Sequence, residues 1–311
     1  LSYTYQKSIP KMTFSAYLRF VWFRFCRIYP AYLVALLCAM TIVMVAVLFK
    51  LSWNPAMHVP KQLFYEAFMV QQWHFQHTPY IHCWNYPDWS VSCEWFAYLF
   101  IFPLTYALLK RLNQICLVGT LLILCLTIYS LPTIPDHSYG LWGLFQVTLD
   151  FLAGALLYKL VTLTPSMKVG IQNLVAAVTV IVFLLLLHSN LIYGVERLTL
   201  LVSIVVFLFL LKYEGGILPR ILSVGIVVYL GEISYSIYLI HGVDIRILKV
   251  LFPVERYAHC SMVTRLVIFI LFLGTIIGSA SLLYHLIEAP ARNYLRRKFP
   301  SREKISDITY I

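Results

Sequence analysis

Four short stretches of this sequence carry residue types that could do chemistry. Arg24-Phe25-Cys26-Arg27 sets two guanidinium groups three residues apart, and so on one face of a helix. Such a pair of forks suits a phosphorylated ligand; it is equally the composition of a topogenic basic cluster beside a membrane span. Asn85-Tyr86-Pro87-Asp88-Trp89-Ser90-Val91-Ser92-Cys93-Glu94-Trp95 reads as a Pro-containing turn leading into a helix that carries a carboxylate. Glu94 there can accept a proton, orient a hydroxyl or pair with a neighbouring helix. Trp89 and Trp95 can stack on a sugar face or anchor an interface. In the third stretch, 233–241, Ser234, Tyr238 and His241 recur at spacings of four and three, which gives one hydrogen-bonding stripe on a helix. His241 can be a base near neutral pH, or a structural histidine bonded to its surroundings. The fourth, Glu288-Ala289-Pro290-Ala291-Arg292, reads as a helix stop with an ion pair.

Other groups are less distinctive. Asp150, next to Phe151-Leu152-Ala153-Gly154, is expected to be buried in a span and to have a partner, while Gly154 allows close helix approach. His58, His74, His77 and His82 crowd one segment, but their spacings match no familiar ligand pattern and no metal is expected. The seven cysteines include no CxxC pair and mostly read as small hydrophobes. Cys83 and Cys260 fall in loops placed outside the cytoplasm, where a disulfide can persist.

The elements that must hold these groups are membrane spans. Of the 311 residues, 61% are hydrophobic and 12% charged, where an ordinary soluble domain carries about a quarter charged residues. Apolar runs of about 20 residues, enough to cross a hydrocarbon core of roughly 30 Å, recur along most of the chain. This predicts an all-α, polytopic transmembrane helix bundle, because helices satisfy their own backbone hydrogen bonds in lipid. About eight spans are expected, roughly at 28–49, 92–109, 115–131, 141–160, 169–188, 197–212, 221–243 and 264–286. The seventh is interrupted by Gly231 and Glu232, so 217–230 can instead lie in the interface, with the span beginning near Ser234.

The net charge of +11 does not point to nucleic acid, since the basic residues sit in small groups at span ends. Lys7, Lys11, Arg19, Arg24 and Arg27, then Lys110 and Arg111, then Arg292, Arg296, Arg297, Lys298 and Arg302 all become cytoplasmic in one orientation. Both ends of the chain are then cytoplasmic, and 50–91 and 244–263 are among the outer loops. Leu1-Ser2-Tyr3-Thr4-Tyr5 reads as the cytoplasmic end of a span that lies upstream.

The order of these motifs is informative. Arg-Phe-Cys-Arg-Ile-Tyr-Pro at 24–30, Trp-Ser-Val-Ser-Cys-Glu-Trp-Phe-Ala-Tyr at 89–98, Leu-Gly-Glu-Ile-Ser-Tyr-Ser-Ile-Tyr-Leu-Ile-His at 230–241 and Ile-Glu-Ala-Pro-Ala-Arg at 287–292 resemble the acyltransferase-3 family of membrane O-acyltransferases. The resemblance runs through essentially the whole chain and implies a single transmembrane acyltransferase domain over 1–311. The family is usually built on ten spans, which implies that two are missing ahead of residue 1, among them the span bearing the family's catalytic histidine. Some members of the family carry a soluble esterase-like domain after the last span; this sequence continues only from 287 to 311 beyond the last expected span, so none is expected here.

By resemblance, Arg24 and Arg27 match a cytoplasmic arginine pair that holds acyl-CoA, commonly acetyl-CoA, as co-substrate and not as a tightly bound cofactor. Glu94 and His241 are then the expected catalytic residues, and Trp89, Ser90, Tyr98 and Tyr238 the expected acceptor contacts. The implied partners are acyl-CoA, membrane lipids and a glycan or lipid-linked glycan; the implied reaction is O-acetylation of a cell-envelope polysaccharide or lipopolysaccharide at the bacterial inner membrane. The alternative is a polytopic transporter or glycan flippase, with Asp150 and Glu94 lining a pathway.

Overall fold

Thr13 opens the first long helix by accepting the Ala16 N–H on its hydroxyl at 3.2 Å, and the chain then runs without a break as α1 (Phe14–Leu48). At 1.5 Å per residue its 35 residues span about 52 Å, longer than a hydrocarbon core of about 30 Å. The turns that carry Arg19, Arg24 and Arg27 therefore extend beyond the apolar stretch that begins at Ile28. Pro30 lies inside α1 and withholds one backbone donor just after the arginine pair.

The computed structural model describes residues 13–49, 60–73, 84–109, 113–130, 139–163, 167–188, 206–207, 210–211, 215–251 and 260–299. Within these the later helices are α2 (Pro60–Ala67), α3 (Asp88–Phe96), α4 (Phe102–Leu109), α5 (Gln114–Ser130), α6 (Tyr139–Leu163), α7 (Val169–His188), α8 (Ile217–Leu222), α9 (Gly225–Glu232), α10 (Ser234–Leu251), α11 (Met262–Leu283) and α12 (Ala289–Arg297). Two π-helical segments, Ala97–Ile101 between α3 and α4 and Tyr284–Glu288 between α11 and α12, keep their flanking helices continuous. No strand occurs among the described residues, as an all-α bundle requires. Large apolar side chains such as Leu122, Leu185, Phe269 and Leu271 stand exposed on α5, α7 and α11. That is the surface lipid would cover.

Phe14–Leu48, Gly140–Leu163 and Met262–Arg297 are long and apolar enough to cross a membrane, and Gly225–Glu232 with Ser234–Lys249 makes a fourth if taken as one broken span. Ile115–Thr127 and Val169–Leu185 are shorter apolar helices. Most of the expected 197–212 span lies outside the described residues, as do His58, His74, His77, His82 and Cys83. The break anticipated near Gly231 falls at Ile233, and α10 begins at Ser234.

Two expectations are corrected. The outer loop was to begin at 244, yet α10 continues to Leu251, so Asp244, Arg246 and Lys249 are helical. Asp150, expected to be buried, is exposed on α6.

The chain forms two compact units. In one, α5 and α6 pack through Leu117, Leu124, Leu149, Ala153 and Leu156, and α3 lies against α6. In the other, α10 packs on α1 and α11, and α12 returns along α1.

Candidate functional site

In the unit built from α2–α9, the Trp-Ser motif is the N-terminal half of a helix that starts at Asp88 and passes into the Ala97–Ile101 π segment. The spacing of four that joins Glu94 to Tyr98 brings them together: the Tyr98 hydroxyl donates to Glu94 Oε1. Ser90 Oγ donates to the Pro87 carbonyl at 3.1 Å, which ties it to the turn that opens the helix. Trp89 and Cys93 face α6 at Gly143, where a Cβ would stand 3.3 Å from Cys93 Sγ and 3.8 Å from the Trp89 ring. The glycine thus lets α6 approach the motif closely.

A polar cap supports this helix, and it was not foreseen from the sequence. After α2 the chain turns through Met69, whose φ of 57° is the left-handed conformation that usually requires glycine. The turn delivers three consecutive residues to α3. Gln71 Nε2 donates to the Asp88 carbonyl at 2.7 Å, the Gln72 N–H donates to Ser92 Oγ at 3.2 Å, and the Trp73 indole donates to the Ser92 carbonyl at 3.1 Å. Glu66, fully buried, accepts the Trp84 N–H on both carboxylate oxygens at 2.9 and 3.1 Å. Asn85 Nδ2 donates to Asp88 Oδ1 at 2.9 Å. Glu94 is therefore held on a helix pinned by the Gln71 and Trp73 side chains and the Gln72 backbone N–H.

In the second unit, Arg24 is half-buried and Arg27 exposed, three residues apart on α1 as the spacing predicts. Helix α12 returns beside them. The Trp22 indole donates to the Leu295 carbonyl at 3.2 Å, and Arg296 lies over the Phe23 ring with Cζ 5.4 Å from its centroid. The Arg24 guanidinium lies over Phe20 at 5.6 Å. Arg27 and Arg292 both act electrostatically on Glu288, and Arg296 on Cys26. The arginine pair is thus joined by Arg292 and Arg296 in one basic end of the unit.

Behind that end sits Glu288, 1% exposed. Its Oε2 accepts from Ser236 Oγ of α10 at 2.7 Å, and its Oε1 pairs with Arg292 at 3.6 Å. The ion pair expected from the Glu-Ala-Pro-Ala-Arg spacing is present; the serine partner, 52 residues away in sequence, was not foreseen. Tyr235 donates to the Ile28 carbonyl at 3.0 Å and fixes α10 to α1 at the same level.

Tyr238 and His241 lie side by side on α10, their ring centroids 5.6 Å apart. His241 is half-exposed and its Nδ1 stands 2.5 Å from the Tyr238 carbonyl. A carbonyl cannot donate, so Nδ1 is the donor in this contact, and in the neutral imidazole Nε2 is then the acceptor. Ser234, the third member of the stripe, is exposed. The expected site residues therefore assemble as Glu94 with Tyr98 in one unit and Tyr238 with His241 in the other, the arginine pair lying in that second unit nearer its basic end.

A helical membrane protein with acid–base groups on two of its helices and a basic end on one unit is the class these observations define. A family described as an acyltransferase domain, the acyltransferase-3 family, matches residues 8–284. The chain belongs to this family of membrane acyltransferases. No curated protein and no solved structure matches it.

Proposed function

We propose that the protein is an O-acyltransferase that takes an acyl group, acetyl in the simplest case, from cytoplasmic acyl-CoA and places it on a hydroxyl of a cell-surface glycan at the inner membrane. The observation that carries the reading is the basic end of the second unit, where Arg24 and Arg27 of α1 meet Arg292 and Arg296 of α12. Guanidinium groups bind phosphates through paired, charge-assisted hydrogen bonds. Phosphates of the donor would rest there and its thioester arm would extend along the apolar helices.

His241 Nε2 then takes the proton of the acceptor hydroxyl as that oxygen attacks the thioester carbonyl. The C–O bond forms, the C–S bond breaks, and the departing thiolate recovers the proton. Tyr238 flanks the base; in the other unit Glu94, held by Tyr98, offers with Trp89 and Ser90 a set of groups able to hold a sugar hydroxyl. The test is transfer of labelled acetyl from acetyl-CoA to envelope glycan by membranes containing the protein. Arg24→Ala with Arg27→Ala should raise the KM for acetyl-CoA about 10- to 100-fold, the range for losing charge-assisted hydrogen bonds. Unchanged KM in that variant would remove the donor-site assignment. No transfer by wild-type protein, together with glycan movement that consumes no acyl-CoA, would turn the reading to a flippase.

A further inference from the structure

Arg19 is a cation for which the reading above has no use. It lies on α1 one turn before Phe23, and its Cζ stands 5.2 Å from the centroid of that ring. Arg296 of α12 lies over the same ring at 5.4 Å. Two guanidinium groups within cation–π range of one ring are at most about 11 Å apart, whichever faces they take. Among the described residues Arg19 forms no hydrogen bond and no ion pair. Arg24, Arg27, Arg292, Arg296, Arg297 and Lys298 are the other cations of this end, and Glu288 is the one carboxylate there among the described residues. Such a surplus of positive charge attracts a ligand that carries several negative charges.

The helix sets the order of these cations. Arg19, Phe23 and Arg27 recur every four residues and share one face of α1. That face meets α12, where the Trp22 indole donates to the Leu295 carbonyl and Arg296 covers Phe23. Arg24 and Arg27 stand at the edge of the apolar stretch that begins at Ile28. Arg19 is five residues further from that stretch than Arg24, about 7.5 Å at the α-helical rise. An acyl-CoA has its parts in a matching order: the thioester at the tip of the phosphopantetheine arm, then the pyrophosphate, then a ribose whose 3′-oxygen carries a separate phosphate. With the thioester among the apolar helices and the pyrophosphate on Arg24 and Arg27, that last phosphate falls beyond them, at the level of Arg19 and Arg296.

We propose that Arg19, with Arg296 across Phe23, holds the ribose 3′-phosphate of the donor and so distinguishes acyl-CoA from a donor that lacks this group; this rests on the acyltransferase reading above. Phe23 keeps both forks close to where the phosphate arrives, and the Trp22 bond holds α12 against α1, so the pair is set before the donor binds. Charge-assisted hydrogen bonds to phosphate oxygens then supplement the ring contact. Arg19 takes no part in the chemistry; it reads the donor.

The experiment compares acetyl-CoA with acetyl-dephospho-CoA, which lacks only that phosphate, as donors to envelope glycan in the full chain and in Arg19→Ala. Wild-type protein should have a KM about 10- to 100-fold lower for acetyl-CoA, the range for losing charge-assisted hydrogen bonds. Arg19→Ala should raise the KM for acetyl-CoA about 10-fold and leave that for acetyl-dephospho-CoA unchanged, because both truncations remove the same contact. An unaltered kcat with either donor shows that the variant is folded. Arg19→Lys, which keeps the charge without the fork, should recover part of the loss. Arg24→Ala, by contrast, should raise both KM values by the same factor. Equal KM values for the two donors in wild-type protein, or an equal rise for both in Arg19→Ala, would overturn the assignment and leave the acyltransferase reading intact. An equal rise that disappears in neutral phosphatidylcholine bilayers would give Arg19 to anionic lipid headgroups instead. No acetyl transfer from either donor by wild-type protein would overturn both.

Discussion

Ser236 and Glu288 offer a test of the structure that needs no substrate. Ser236 is fully buried and its hydroxyl donates to Glu288 Oε2 at 2.7 Å across the contact between α10 and the end of α11. A hydrogen bond to a charged acceptor is worth about 1.5–3 kcal/mol, and Glu288 at 1% exposure gains little compensation from solvent. Ser236→Ala removes that bond and leaves the carboxylate to Arg292 at 3.6 Å. For a protein of this size about 2 °C of melting temperature corresponds to each kcal/mol, so the variant should melt about 3–6 °C lower. Glu288→Gln keeps an acceptor for Ser236 and should cost less than Glu288→Ala, which leaves a buried hydroxyl and a guanidinium together without their partner. Because membrane proteins often unfold irreversibly, the measurement is the midpoint for loss of monodisperse protein after a fixed heating time. The double variant Ser236→Ala, Glu288→Ala should lose about 1–2 kcal/mol less than the sum of the singles. A Ser236→Ala midpoint within about 1 °C of wild type, or strict additivity, would show that the contact does not hold these helices together.

Other variants probe the site. Glu94→Gln should lower acyl transfer at least about 100-fold if the carboxylate handles a proton or orients the acceptor, and Tyr98→Phe should lower it by a smaller factor by freeing the same carboxylate. Retention of full activity by Glu94→Gln in the labelled-acetate assay would reduce the pair to a helix brace. At Gly143 a methyl group would meet Cys93 Sγ at 3.3 Å, so Gly143→Ala should be tolerated after a shift of a few tenths of an ångström. Gly143→Val should displace Trp89 and raise the acceptor KM; equal KM values for both would mean that α6 does not set the position of the Trp-Ser helix.

Much of this arrangement is legible in the sequence because it follows from short-range periodicity. Apolar runs of the length that crosses a bilayer mark α1, α6 and α11, and the spacing of four between Glu94 and Tyr98 places both on one helix face. The Gly231-Glu232 interruption announces the separate start of α10. What fails to show is set by partners distant in sequence or by composition that misleads. Asp244, Arg246 and Lys249 fall within six residues and read as a polar loop, but packing against α1 and α11 carries the helix through them. Ser236 meets Glu288 only once the chain has turned back on itself. The cap made by Glu66, Gln71, Gln72 and Trp73 bonds largely to backbone groups, which any sequence possesses, so nothing in residue type announces it. The π segments likewise have no compositional signature here.

Those two π segments bear on how the chain can tolerate change in its length. Each accommodates a wider turn in an otherwise continuous helix, so dropping one residue from Ala97–Ile101 or Tyr284–Glu288 would let the backbone relax into ordinary α-helix at little local cost. Because the wider turn is what takes up the extra residue, everything beyond such a deletion would keep nearly its original rotation. At the second segment Arg292 and Arg296 would still face α1, whereas loss of one residue from the ordinary helix of α11 would turn them by roughly 100°. The two π segments are therefore the places in these helices where a single residue can be lost without moving the basic end, and a deletion one or two turns earlier is the contrast that shows it.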